Sequence, residues 1–345
     1  MADLRSKITD ALPGPSDLRT RIADALPGSS SDPRPDAGYR LRSHEYVPDG
    51  IRRIARGQLE LAHDELAGVS KRKLHEAVHE TRKRLKRLRA CVRLARGAIG
   101  DEAYEQENAA FRAAGRELSA GRDAKVLLET LDELRERFAD ELPERATARL
   151  RERLEEQQAA SAPARGRDDE GIDAVLAAIE LARARTPAWT FSGDGFDAIS
   201  PGMRRIYRRG RKRMRAATKD ASPENLHEWR KRVKDLWHAT QIVREAQPKR
   251  LKRVSRRAHD LADLLGDGHD LSMLRAYAES HPLCFEDEAS REALLAVIDR
   301  RCRALRDKAL KRGRKLYEPS PKRFVKRIER GWHKRASQRP RPIAG

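Results

Sequence analysis

His75-Glu76-Ala77-Val78-His79-Glu80-Thr81-Arg82-Lys83-Arg84-Leu85-Lys86-Arg87-Leu88-Arg89 decides how this chain is read. It returns, altered, as Leu226-His227-Glu228-Trp229-Arg230-Lys231-Arg232-Val233-Lys234-Asp235-Leu236-Trp237-His238. With His79 laid on His227, Arg82 meets Arg230, Lys83 meets Lys231, Arg84 meets Arg232, Leu85 meets Val233 and Lys86 meets Lys234. Neither stretch holds Gly or Pro and most of their residues are good helix formers, so both predict helix. Wound at about 100° per residue, His79, Arg82, Lys83, Lys86, Arg89 and Arg93 share one face. So do His227, Arg230, Lys231, Lys234 and His238. Val78, Leu85, Leu88 and Val92 form an apolar stripe beside the first row; Leu226, Trp229, Val233, Leu236 and Trp237 match it beside the second. Like charges one turn apart repel by a few tenths of a kcal/mol per pair. A single such row is most simply a solvated helix face. A row that returns in the same register, with the same leading His and the same apolar neighbour, calls for a partner that offsets the repulsion. Two such rows facing each other would form a groove for a long polyanion.

Composition agrees. The chain has 345 residues, a net charge of +21 and a pI near 10.3, which predict an anionic partner: nucleic acid, polyphosphate or an acidic membrane surface. Aromatic residues are only 5%, too few for much base stacking, which argues against sequence reading of single strands. Cys91, Cys284 and Cys302 are scattered and odd in number, without metal or disulfide spacing, as suits a reducing cytoplasm. No apolar run reaches the length of a membrane helix, and no secretion signal opens the chain.

Residues 1–38 read as a disordered tail. It carries two short repeats, Leu4-Arg5-Ser6-Lys7-Ile8 through Pro13-Gly14 and Leu18-Arg19-Thr20-Arg21-Ile22 through Pro27-Gly28, a candidate docking motif for a protein partner. From Tyr39 the chain predicts helix almost throughout. A first helical bundle is expected over 39–160, and within it the basic helix should end at Gly97 and Gly100. A linker with one helix is expected over 161–195, a second bundle over 196–318 and a basic tail over 319–345. Gly50-Ile51-Arg52-Arg53-Ile54 is echoed by Gly202-Met203-Arg204-Arg205-Ile206, and Gly121-Arg122-Asp123 by Gly268-His269-Asp270, where His269-Asp270 would cap a helix. His269 would also add a cation near the groove. Together these echoes indicate tandem duplication of a roughly four-helix unit.

The tandem His-x-x-Arg-x-x-x-Lys pattern in an all-helical chain resembles the CHAD (conserved histidine α-helical domain) family, over about Tyr39 to Tyr317. The resemblance implies an all-α fold of two pseudo-twofold-related four-helix bundles with a basic central groove. It also implies non-catalytic binding of inorganic polyphosphate, in the cytoplasm and at polyphosphate granules, without a cofactor. Its motif falls on His79, Arg82, Lys86 and Arg89, and again on His227, Arg230 and Lys234. The second copy departs from it, with Trp237 opposite Arg89 and His238 as the neighbour that would have to substitute. Lys83 and Lys231 lie on the same faces, and Arg53 and Arg205 recur on the preceding helices as secondary candidates. The Glu-x-Glu-x-Lys strand of the triphosphate-tunnel domain that some family members carry is absent.

Side chains one turn apart, about 5.4 Å, can meet successive phosphates. Arg presents a planar fork, Lys a point charge, and His a ring donor that a phosphate would favour in its charged form. Binding would weaken with salt through counterion release. Two rival classes remain. A general nucleic-acid-binding protein would treat DNA as polyphosphate's equal. A metal-dependent hydrolase is suggested by the literal His75-Glu76-Ala77-Val78-His79 and by His63-Asp64, His259-Asp260 and His269-Asp270. The flanking cations oppose a dication at the first, and Pro223 and Glu224 stand where the second copy would need His75 and Glu76.

Overall fold

The computed structural model describes residues 38–42, 45–70, 73–118, 122–160 and 167–337, which are helical almost throughout, with no strand among them. The N-terminal repeats lie outside the described residues. The elements are α1 (Val47–Leu66), α2 (Leu74–Ile99), α3 (Asp101–Glu117), α4 (Arg122–Arg137), α5 (Glu144–Ala160), α6 (Arg167–Arg185), α7 (Ser200–Lys219), α8 (Pro223–Ile242), α9 (Pro248–Ser280), α10 (Glu288–Leu316) and α11 (Pro321–Ala336).

α1 packs on α2 and α2 on α3, and α6 closes a ring against both α1 and α3. α7, α8, α9 and α10 close a second ring in chain order. α2 meets α7 and α8 and so joins the rings. The α4–α5 hairpin leaves the first group, setting α4 on α9 and α5 on α10.

Several expected boundaries shift. The 161–195 stretch is more than a linker, because α6 buries Val175, Ile179 and Ala182 along one side. Arg185 of α6 also grips the buried Glu107 of α3 through two hydrogen bonds of 2.7 and 3.0 Å. The tail expected over 319–345 holds a packed helix. Phe324, Val325, Ile328 and Trp332 recur at helical spacing and are buried, and Phe324 stacks on Tyr207 of α7 with centroids 4.1 Å apart. α2 runs through Gly97 and stops at Gly100, whose φ of 82° favours glycine.

Gly268-His269-Asp270 caps nothing, since α9 continues through it as one helix of 33 residues. Gly266 serves a different purpose: a Cβ there would lie 3.0 Å from Arg230 Nη2, so its bare backbone leaves room for that guanidinium on α9.

Candidate functional site

The first basic row lies on α2. His79, Lys83 and Lys86 are exposed, and Lys83 pairs with Glu80 one turn back at 2.5 Å. Arg82 reaches α3, donating to the Leu118 carbonyl at 3.2 Å. Arg89 donates to Asn108 of α3 at 3.2 Å. Burial, and then Arg93, hold the Arg89 pKa below its usual range. Arg93 turns toward α8 and meets Asp235 at 2.5 Å.

The second row lies on α8. The His227 ring sits 4.2 Å from the ring of His269 on α9. Arg230 lies over Gly266, and Lys231 pairs with Glu228 at 2.6 Å. His238 stacks on Trp237 with centroids 4.6 Å apart and meets Tyr39 edge-on. Trp229 is core, fully buried, whereas Trp237 is a half-buried wall between His238 and His259.

The imidazoles report the local field. Burial pushes the His238 pKa down to about 3, with Arg87, Lys234, Lys86 and Arg93 adding to the fall. The two rows therefore converge on His238, Lys86 arriving from α2 and Lys234 from α8. His227 is lowered to about 4 by burial, then by His269, Lys231 and Arg230. His269 is lowered by burial and by Arg230, against an opposing pull from Asp270. Burial thus disfavours the charged form in all three rings. An anion entering here would reverse the balance and favour the imidazolium forms. His227 Nδ1, His238 Nδ1 and Arg230 Nε are buried without a hydrogen-bond partner among the described residues.

Two secondary candidates fall elsewhere. Arg53 is held by Glu45 in a two-pronged pair at 3.0 and 2.7 Å and by the Gly38 and Arg40 carbonyls, which makes it a clamp on the start of the fold. Arg205 lies near Gly97 and Asp101, at the C-terminal end of α2. The rows also involve Arg87 and Asp235, which matching of like residues between the copies passes over, and His269, which the recurring Gly-x-Asp marks as a cation near the groove.

His75 and Glu76 are exposed, and among the described residues no group of three or more His, Cys, Asp or Glu gathers where it could hold a metal ion. His63 contacts Glu180 at 3.3 Å, and His259 contacts Asp263 at 2.5 Å. Among the described residues no helix is long and apolar enough to cross a membrane.

The helices define an all-helical protein with positive charge concentrated where its two rings meet. The chain belongs to the CHAD family: the family model for the CHAD domain matches residues 53–279. Among solved structures it is similar to the CHAD domain from the plant Ricinus communis. The TM-score is 0.52 at 16% identity, covering 88% of this chain and 97% of that one. At that identity the likeness is one of fold. No curated protein matches the chain.

Proposed function

We propose that this chain binds inorganic polyphosphate without catalysis, between the two helical rings. His79, Arg82, Lys83, Lys86, Arg89, His227, Arg230, Lys231 and Lys234 line the path. The observation that supports this most is that Lys86 and Arg87 of α2 and Lys234 of α8 all bear on one partly buried imidazole, His238. Cations brought that close repel one another, and a chain of phosphates relieves the repulsion at several points at once. The shared register of the two rows is what a tandem duplication would leave, with each copy supplying one wall. Scaffolding or localisation of polyphosphate, at a granule in the cytoplasm, is the role such a site suits.

The groove is tested by titrating polyphosphate of defined length into wild type and into Lys86→Ala/Arg230→Ala/Lys234→Ala. Charge-assisted hydrogen bonds contribute about 1.5–3 kcal/mol each, so losing three lowers affinity about 1,000-fold or more. Arg53→Ala changes affinity by less than about twofold, although its lost pair lowers the urea midpoint. Wild-type affinity in the triple variant would place polyphosphate elsewhere.

A further inference from the structure

A second concentration of positive charge lies outside these rows. The twenty residues of α7 contain no Asp or Glu. Arg204, Arg208, Lys212 and Arg215 are exposed and spaced so that they fall within one stripe of that helix, about 16 Å long. On α11, Arg323, Lys326, Arg330 and Lys334 form another exposed stripe, opposite the buried Phe324, Val325, Ile328 and Trp332. The first turns of α9 add Lys249, Lys252, Arg253 and Arg256, also exposed.

These helices are neighbours. α11 packs on α7 and on the short turn Arg244–Ala246 that leads into α9. Gln247 donates to the Arg327 carbonyl at 2.5 Å, fixing α11 to the start of α9. Arg250 lies close enough to Arg327 and Arg253 for their charges, after burial, to lower its pKa. Arg211 and Arg250 both act on Tyr207, the residue that stacks on Phe324.

Ion pairing varies along the fold. On α5 and α10, Arg153 pairs with Glu156, Arg291 with Glu288 and Arg300 with Glu141. On α9 beyond the face, Arg275 pairs with Asp299 and Glu279. None of the stripe cations on α7, α11 or early α9 has an ion pair among the described residues. The second half of α10 shares this property, with Arg303, Lys308, Lys311 and Arg314 exposed and outside any ion pair among the described residues, so the face is set apart by the adjacency of its stripes. Asp260, one turn beyond Arg256, lies close enough to feel its charge.

We infer that the face made by α7, α11 and the start of α9 is a second polyanion surface, which takes the phosphate backbone of a nucleic-acid duplex. Rows of cations on adjoining elements, with α7 and α11 about 8–10 Å apart where they pack, present a broad patch. A duplex offers a charge for every 1.7 Å or so of its axis, and such a patch can neutralise several phosphates together. Arg dominates the α7 stripe, and its fork suits phosphate oxygens. Tyr207, Tyr317, Phe324 and Trp332 are buried, which among the described residues of this face leaves the small ring of His333 on α11 as the exposed one, little for stacking unpaired bases. The exposed large apolar residues, Tyr46, Leu181, Met273 and Leu283, lie elsewhere, so nothing here inserts into a lipid surface. α11 also lies beyond residues 53–279, the part matched by the CHAD family model.

The test measures binding of labelled duplex DNA and duplex RNA of about 20 base pairs, two helical turns, across a range of salt. It compares wild type, Arg208→Gln/Lys212→Gln/Lys326→Gln/Arg330→Gln, and a control with the same charge change, Arg153→Gln/Arg275→Gln/Arg291→Gln/Arg300→Gln. Polyphosphate and phosphatidylserine vesicles are run beside the duplexes, and circular dichroism checks that both variants keep their helices. The face variant loses duplex affinity by about tenfold or more, and its salt slope flattens by about 0.9 per phosphate contact removed. The control keeps most of its affinity, and both variants keep polyphosphate binding. A similar loss in both variants would reduce the effect to net charge and overturn the inference. So would loss of polyphosphate together with duplex, or loss of vesicle binding while duplex binding persists. Whether DNA or RNA shows the larger difference identifies which duplex the face prefers.

Discussion

Replacing Asp235 with Ala is expected to lower the free energy of unfolding by about 3–5 kcal/mol, the largest loss among single substitutions in the basic helices. Asp235 is only 8% exposed and accepts from two guanidiniums, Arg93 of α2 at 2.5 Å and Arg232 of its own helix at 2.9 Å. It ties one ring of helices to the other at the point where their charges are densest. Arg232 is already depressed by burial, with Arg93 and Arg209 close by. Removing the carboxylate therefore strands two largely buried cations, and the penalty is their desolvation as well as the lost pair. Urea unfolding of Asp235→Ala, Arg93→Ala and the double variant checks this. The double variant should recover part of the loss, since it removes one stranded charge. A loss under about 1 kcal/mol in Asp235→Ala, the range of a surface pair, would mean the clamp is solvent-screened.

Gly202→Ala is the second large effect. A Cβ at Gly202 would lie 1.8 Å from the Leu94 carbonyl oxygen and 2.7 Å from its carbon, where α7 crosses α2. The obstacle is backbone in the middle of a helix, so no side chain can swing aside and one helix must move. Overpacking in a core costs about 1–3 kcal/mol when side chains can adjust, and this site belongs at or above the upper end. Alanine is the better helix former by about 1 kcal/mol, which makes the sign of the result informative. A thermal midpoint that falls by several degrees supports the close crossing, and a rise would show that α2 and α7 stand further apart.

The family and the all-helical fold were legible in the sequence because the basic helix appears twice in one register. Helix periodicity also separates the cations from the stripe holding Leu85 and Leu88, both buried. What periodicity misses is partner choice among helices. α6 reads as a short segment in a linker, yet its apolar stripe closes the first ring. α11 reads as a basic tail because its charges outnumber Phe324, Val325, Ile328 and Trp332, although those four suffice to dock it. The site shows the same limit. Arg53 recurs as Arg205, but recurrence gives no sign that Glu45 holds the first of them. Aligning the copies by their shared residues also hides the position where they differ most: with His79 on His227, Arg87 falls on Asp235. That reversal of charge lets two cationic helices approach, and it would have been visible to a comparison that looked for opposites. His269 announced itself only as half of a recurring dipeptide, and its contact with His227 depends on α9 running unbroken through two glycines.

The central claim concerns a groove with its own ligand. It is tested most directly by calorimetric titration of polyphosphate of defined length into the full chain, alone and in the presence of saturating duplex DNA at moderate salt. Affinity that changes by less than about threefold is the predicted result, since the rows on α2 and α8 are separate from the outer face of α7 and α11. Complete displacement by DNA, with one shared affinity for both polyanions, would contradict a distinct polyphosphate groove and return both rows to the status of solvated helix faces.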